Sequence, residues 1–172
     1  MAYEYYNLWH DHYRKPLRPL TVHEARRRDA EGEPYCVVVT GEAGDYNAFI
    51  NIANEYYAVN FIDDRRRVYL TYGFEDVGDG SVFLNDVGHL EYRDGDEPYE
   101  IMSYFFKQSG KVALQRAASN STKATIQEGT CVVSANWDTR PKFGEYENLL
   151  ERITDLKRLL DERHPRNDSS IA

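Results

Sequence analysis

The sequence predicts an α+β fold. Its centre is an antiparallel β-meander, forming a curved sheet or partly open barrel, with a short N-terminal helix before it and a C-terminal amphipathic helix after it. Three observations predict this. Between residues 35 and 137 the chain falls into short runs of alternating apolar and polar residues, separated by Gly, Asp and Ser turn signals at a spacing of roughly eight to twelve residues. No helical pattern long enough for a βαβ crossover intervenes. Beyond residue 144 the period changes: Tyr146, Leu149, Leu150, Ile153, Leu156, Leu159 and Leu160 recur at three- and four-residue steps.

The elements follow in order. Residues 3–13 are dense in aromatics without a clean period and read as an extended or short helical arm packed on the body, ended by Pro16 and Pro19. Thr21-Val22-His23-Glu24 has the capping-box spacing of a hydroxyl and a carboxylate three residues on, opening a helix over residues 21–30 that Gly32 and Pro34 stop. Strands are expected at residues 35–40, 46–52, 55–62, 67–74, 81–84, 88–93, 99–107 and 111–117. The bend between the second and third is placed at residues 51–54. A final pair is expected at residues 122–127 and 130–136, joined around Glu128-Gly129. The whole reads as one domain over residues 1–172: arm and helix in 1–34, sheet in 35–137, helix in 144–163 and a frayed polar end in 165–172.

Composition narrows the function classes. The 172 residues include 14 Tyr, and 41% are hydrophobic, which suits a folded β-rich chain and argues against disorder. The formal net charge is −8, and residues 35–144 supply most of it with sixteen acidic against ten basic side chains. A field of that sign repels phosphate backbones and anionic membranes and favours a cationic partner. The short runs Arg26-Arg27-Arg28 and Arg65-Arg66-Arg67 have acidic neighbours, so no nucleic-acid platform is expected. Cys36 and Cys131 each precede valines and read as small apolar residues of core strands. The N-terminus has no secretory pattern and no apolar run is long enough to span a bilayer, so free thiols and a cytoplasmic location are expected.

Catalytic, metal and cofactor residues are all expected to be none. His10-Asp11-His12 could share an ion if both imidazoles faced one way, but no third ligand motif accompanies them. Thiols flanked by valines are poor nucleophiles, and no phosphate-binding, dinucleotide or nucleophile-elbow motif is present. The carboxylates Asp63, Asp64, Glu75, Asp76, Asp79, Asp94, Asp96, Glu97 and Glu100 fall at or beside expected turns. Hairpin loops at one end of a meander would gather them into one acidic patch able to enter a cationic cleft. Tyr57, one of two adjacent tyrosines on opposite faces, and Trp137 are the expected aromatic anchors of that surface.

The segments Asn51–Tyr57, Val68–Phe74, Ser81–Leu84 and Ser134–Trp137, continuing through Pro141, Phe143, Gly144 and Tyr146, resemble bacterial polymorphic-toxin immunity proteins. The resemblance covers about residues 51–146 and carries over no individual binding residue. It implies a stoichiometric inhibitor that covers the active site of a cognate toxin with a basic cleft, without a cofactor. Two other classes fit the residues: a β-barrel-like protein or enzyme holding a small molecule in a Tyr-lined cavity, and a structural subunit that oligomerises through its C-terminal helix.

Overall fold

The computed structural model describes residues 2–41, 46–118 and 123–151. The chain divides into two compact units, Met1–Arg140 and Pro141–Ala172. The first is an antiparallel sheet that curves without closing. Its strands are β1 (Ala2–His10), β2 (Lys15–Pro19), β3 (Tyr35–Thr40), β4 (Tyr46–Ala53), β5 (Tyr56–Ile62), β6 (Val68–Asp76), β7 (Ser81–Tyr92), β8 (Pro98–Phe106), β9 (Lys111–Ala118), β10 (Ala124–Thr130) and β11 (Trp137–Thr139). They lie in the order β10-β9-β8-β7-β6-β5-β4-β3-β1-β2, with β11 added beside β7. The expected meander is therefore the fold.

Helix α1 (Val22–Glu31) forms where the capping pattern places it. Thr21 Oγ1 accepts the Glu24 N–H at 3.1 Å, and Gly32 closes the helix at φ +69°, a left-handed conformation that glycine adopts without penalty. Tyr35 donates its hydroxyl to Asp29 of this helix at 2.7 Å, which fixes the side of the sheet that α1 covers.

Cross-strand partners share a face, so the ladder assigns the core. On the helix side, Val37, Ile50, Val59, Tyr72 and Val87 form one row across five strands, and Tyr35, Ile52, Tyr57, Phe74 and Leu84 form the next. All ten are buried. The Tyr72 ring meets Phe61 and Phe74 edge-on, at 5.3 and 6.3 Å between centroids, so it serves as core packing. On the opposite face the β1–β2 hairpin folds over the sheet. Trp9 stacks on Phe49 at 4.4 Å and closes a cluster with Cys36, Val38 and Ile62. Residues 3–13, read as an arm packed on the body, are extended but belong to the sheet: Ala2–Tyr6 pair with Cys36–Thr40, and Lys15–Pro19 add an edge strand, so the sheet begins before residue 35. Cys36 is a core residue, and burial pushes its thiol up to about 12.

Four further details differ from the sequence reading. The bend expected at 51–54 is a two-residue hairpin turn at Asn54-Glu55, both at positive φ, as the twist of tight hairpins requires. The two strands expected at 81–84 and 88–93 are one strand, β7. Gly73 faces Asp86 while Phe74 faces Leu84, which leaves Asn85 as an extra bulged residue. The last expected pair does not form: β10 pairs with β9, residues 131–133 leave the sheet, and a 3-10 turn at Ser134–Asn136 leads to β11 on β7. Cys131 is consequently exposed and not a core residue. The valines after it mimic a strand in composition, but among the described residues no strand pairs with them, and Val132 is 85% exposed.

In the second unit, Lys142 and Glu145 form a bridge around Gly144, and Tyr146 begins the one-turn helix α2 (Glu147–Leu150). Only the start of the helix expected over 144–163 falls within the described residues. The rest of it, the frayed end 165–172 and most of the turn at 41–45 lie outside them.

Candidate functional site

The meander sends alternate turns to opposite ends of the sheet, so the carboxylates expected in one patch are divided between two. Asp63 and Asp64 (β5–β6 turn) share one end with Asp94, Asp96 and Glu97 (β7–β8 loop). Glu75, Asp76 and Asp79 lie at the other, at the β6–β7 turn.

At the first end two of the carboxylates, Asp63 and Asp96, are met by arginines. Arg14, carried there by the folded-over β1–β2 hairpin, donates to Asp96 at 3.1 Å and to the Arg65 carbonyl at 3.4 Å. Arg65 and Arg67 donate to the carbonyls of Asp94 and Gly95 at 3.2 and 2.7 Å. Asp63 accepts both the backbone N–H and the Nε of Arg67, at 2.9 and 2.8 Å. Partial burial raises the Asp63 pKa, but these bonds outweigh it and hold the carboxyl below its usual value. The hydrogen bond from Arg14 lowers Asp96 likewise. Arg66 and Arg67 lie over the rings of Tyr46 and Tyr92 at 4.9 and 4.4 Å. Residues 11–14, 63–67 and 93–97 together hold six carboxylates and five guanidiniums. This end is a charge-balanced clasp joining three loops, and the acidic patch expected there is corrected accordingly.

The second end is different. The Asp76 N–H donates to the Glu55 carbonyl at 2.7 Å, and the Arg140 N–H donates to the Gly80 carbonyl at 2.9 Å. These bonds draw together the β4–β5 turn, the β6–β7 turn and β11. These segments hold the carboxylates Glu55, Glu75, Asp76, Asp79 and Asp138 and a single guanidinium, Arg140. Asp76 is buried, pairs with Arg140 at 3.0 Å and accepts the Gly78 N–H at 2.9 Å. Tyr57 is buried too, so it is not the exposed anchor expected. Burial raises its hydroxyl pKa, while a hydrogen bond with Arg140 works against that rise. Asp79 turns inward only to accept the Ser81 N–H at 3.0 Å and stays exposed, as does Glu75.

The register then assembles a row that no local pattern announces. Tyr56, Glu75, Phe83 and Trp137 are successive cross-strand partners on the face opposite α1. Trp137 is 36% exposed and rests on the buried Phe83, with ring centroids 5.0 Å apart. Asn136 donates its side-chain amide to the Leu84 carbonyl at 2.9 Å and fixes the approach of β11. One strand further, Tyr56 donates its hydroxyl to Asp86 across Gly73. A Cβ on that glycine would lie 1.9 Å from both oxygens. The face beyond this clasp presents Phe105, 45% exposed and paired with Asp86.

Of the expected site residues, Trp137, Glu75 and Asp79 are therefore brought together with exposed surface, Asp76 and Tyr57 support them from below, and Asp63, Asp64, Asp94, Asp96 and Glu97 belong elsewhere. Tyr56, Phe83 and Arg140 were missed. For the tyrosines a signal existed: Tyr57, Val59 and Phe61 alternate with Tyr56, Ala58 and Asn60, and the more apolar set marks the core face. His10 and His12 sit 6.5 Å apart between ring centroids, with His10 Nδ1 accepting the Tyr13 N–H at 3.3 Å. Among the described residues no three His, Cys, Asp or Glu side chains group as a metal ion would require, and no helix is long and apolar enough to cross a membrane. Comparison of the chain with family models, curated proteins and solved structures returns no match.

Proposed function

We propose that this chain is a non-enzymatic inhibitory binding protein that covers the active site of a partner protein, as an immunity protein neutralises its cognate toxin, acting in the cytoplasm without a cofactor. The observation that carries this reading is the contrast between the two ends of the sheet. One balances its charges internally, whereas the other, with five carboxylates to one guanidinium in its segments, sets the exposed Glu75 in one row with a tryptophan seated on a buried phenylalanine. Rigid, half-exposed aromatics ringed by polar groups are the usual anchors of protein interfaces. An excess of one charge adds fast, salt-sensitive association with a surface of the opposite sign. The partner is accordingly a protein with a basic cleft, such as a toxin that grips a nucleotide or nucleic acid.

The test is co-expression with a candidate toxin domain, sought in the gene next to the one for this chain, read as rescue of growth and followed by affinity measurements on the purified pair. Trp137→Ala is expected to weaken binding by about 2 kcal/mol, roughly 30-fold. Charge reversal of Glu75 and Asp79 should slow association and flatten its salt dependence. The same reversal of Asp64 and Asp94, at the balanced end, should change little. Sensitivity confined to Asp64 and Asp94 would move the interface to the other end, and failure to rescue would remove the toxin reading.

A further inference from the structure

The two outer strands of the sheet end it in opposite ways. β2 carries Pro16 and Pro19 with Lys15 and Arg18 in five residues. Prolines remove edge donors and charges repel an incoming strand, so this edge is guarded. β10 reads Ala-Thr-Ile-Gln-Glu-Gly-Thr, with no proline and a single charge. Every one of its residues is exposed, Ile126 by 66%, and among the described strands it pairs only with β9. Alternate backbone N–H and C=O groups along β10 therefore face outward with no ladder partner among the described residues.

We propose that this open edge takes the same strand of a second copy of the chain, β10 pairing antiparallel with β10 about a two-fold axis at Ile126. Self-complementarity selects this occupant. An isologous antiparallel pair sets one residue opposite its own copy. With Ile126 at the centre, Thr125 faces Gln127 and Ala124 faces Glu128, so the only charge on the strand meets no like charge. The exposed Ile126 is covered by its copy, a β-branched pair of the kind that stabilises adjoining strands. The contact is much smaller than a standard stable interface. Two chains of net charge −8 also repel. The dimer is therefore weak, forms with rising concentration, and is strengthened by salt. That salt response is opposite in sign to the one expected for the cationic partner.

Sedimentation of the purified chain from micromolar to near-millimolar concentration tests this without any toxin, so its outcome is independent of the function proposed above. The mass should rise from one chain toward two. Ile126→Lys and Ile126→Glu, which each set like charges face to face, should stay monomeric alone and regain the dimer when mixed. Unchanged circular dichroism would show that each variant folds. Three results would each overturn the proposal: a chain monomeric at every concentration, a dimer indifferent to both variants, or this charge-swap behaviour shown by Gln127 in place of Ile126. If the monomer also protects the β10 amides from exchange, the edge is covered by the chain itself.

Discussion

Arg140 Nε lies 3.0 Å from Asp76 Oδ2, in a pair whose carboxylate side chain is 1% exposed and whose guanidinium is half exposed. The pair joins β11 to β6, and through Tyr57 it reaches the core row. Removing the guanidinium leaves a largely buried carboxylate without its counter-charge, which is costly even where the intact pair contributes little net stability. Arg140→Ala is expected to destabilise the chain by about 2 kcal/mol, discounted from the fully buried case because the arginine is half exposed. Adding Asp76→Asn should recover part of the loss. Urea unfolding of the four-member cycle measures the coupling.

The loop clasp at the other end titrates. Asp63 and Asp96 have carboxyl pKa values lowered in the folded chain. A group whose folded pKa is depressed contributes stability that is fully present above its unfolded value, near 3.8 for Asp, and lost as pH falls through the folded value. Stability should therefore drop as pH is taken below about 4. Asp63→Asn should lower stability at pH 7 and flatten this acid limb. An acid limb of unchanged steepness in the variant would show that other carboxylates set it.

Gly73 lies under the Tyr56–Asp86 hydrogen bond, where a Cβ would displace both oxygens. Both are ends of side chains that can swing away, so Gly73→Ala should cost about what losing that bond costs, near 1–2 kcal/mol. Because the two changes remove one interaction, Tyr56→Phe in the Gly73→Ala background should add little further loss. Additive losses in thermal or denaturant unfolding would contradict the geometry.

The thiols should separate cleanly. Cys36 is buried with its pKa pushed up to about 12, and Cys131 is exposed. A thiol reagent at pH 8 should modify one cysteine in the native chain and two after denaturation, and Cys131→Ser should abolish the native reaction. Rapid native labelling of Cys36 would contradict its place under Trp9.

Much of the fold was legible in the sequence because its signals are local. The Thr21 and Glu24 spacing gave α1 its cap, and Tyr35–Thr40 formed as the strand its valines indicate. Short-range composition failed where pairing decided the outcome. Residues 131–133 look like a strand but pair with none of the described strands, and Asn85 became a bulge where β7 passes from pairing with β11, along residues 81–83, to pairing with β8, along residues 86–92. The candidate site was half legible. Trp137 and Glu75 were both singled out, yet nothing in 62 residues of separation tells that they share a row.

By itself, then, the sequence determined that these residues make an antiparallel meander with a capped helix, since turn chemistry and alternation act within a few residues. It also supplied an excess of carboxylates. Tertiary structure alone decided which of them remain available. The β1–β2 hairpin brings Arg14 across the sheet to Asp96 and neutralises one end, while the register of β11 sets Trp137 on Phe83 beside Glu75 at the other. Both contacts depend on long-range strand pairing. A one-residue slip would turn every one of those side chains to the opposite face.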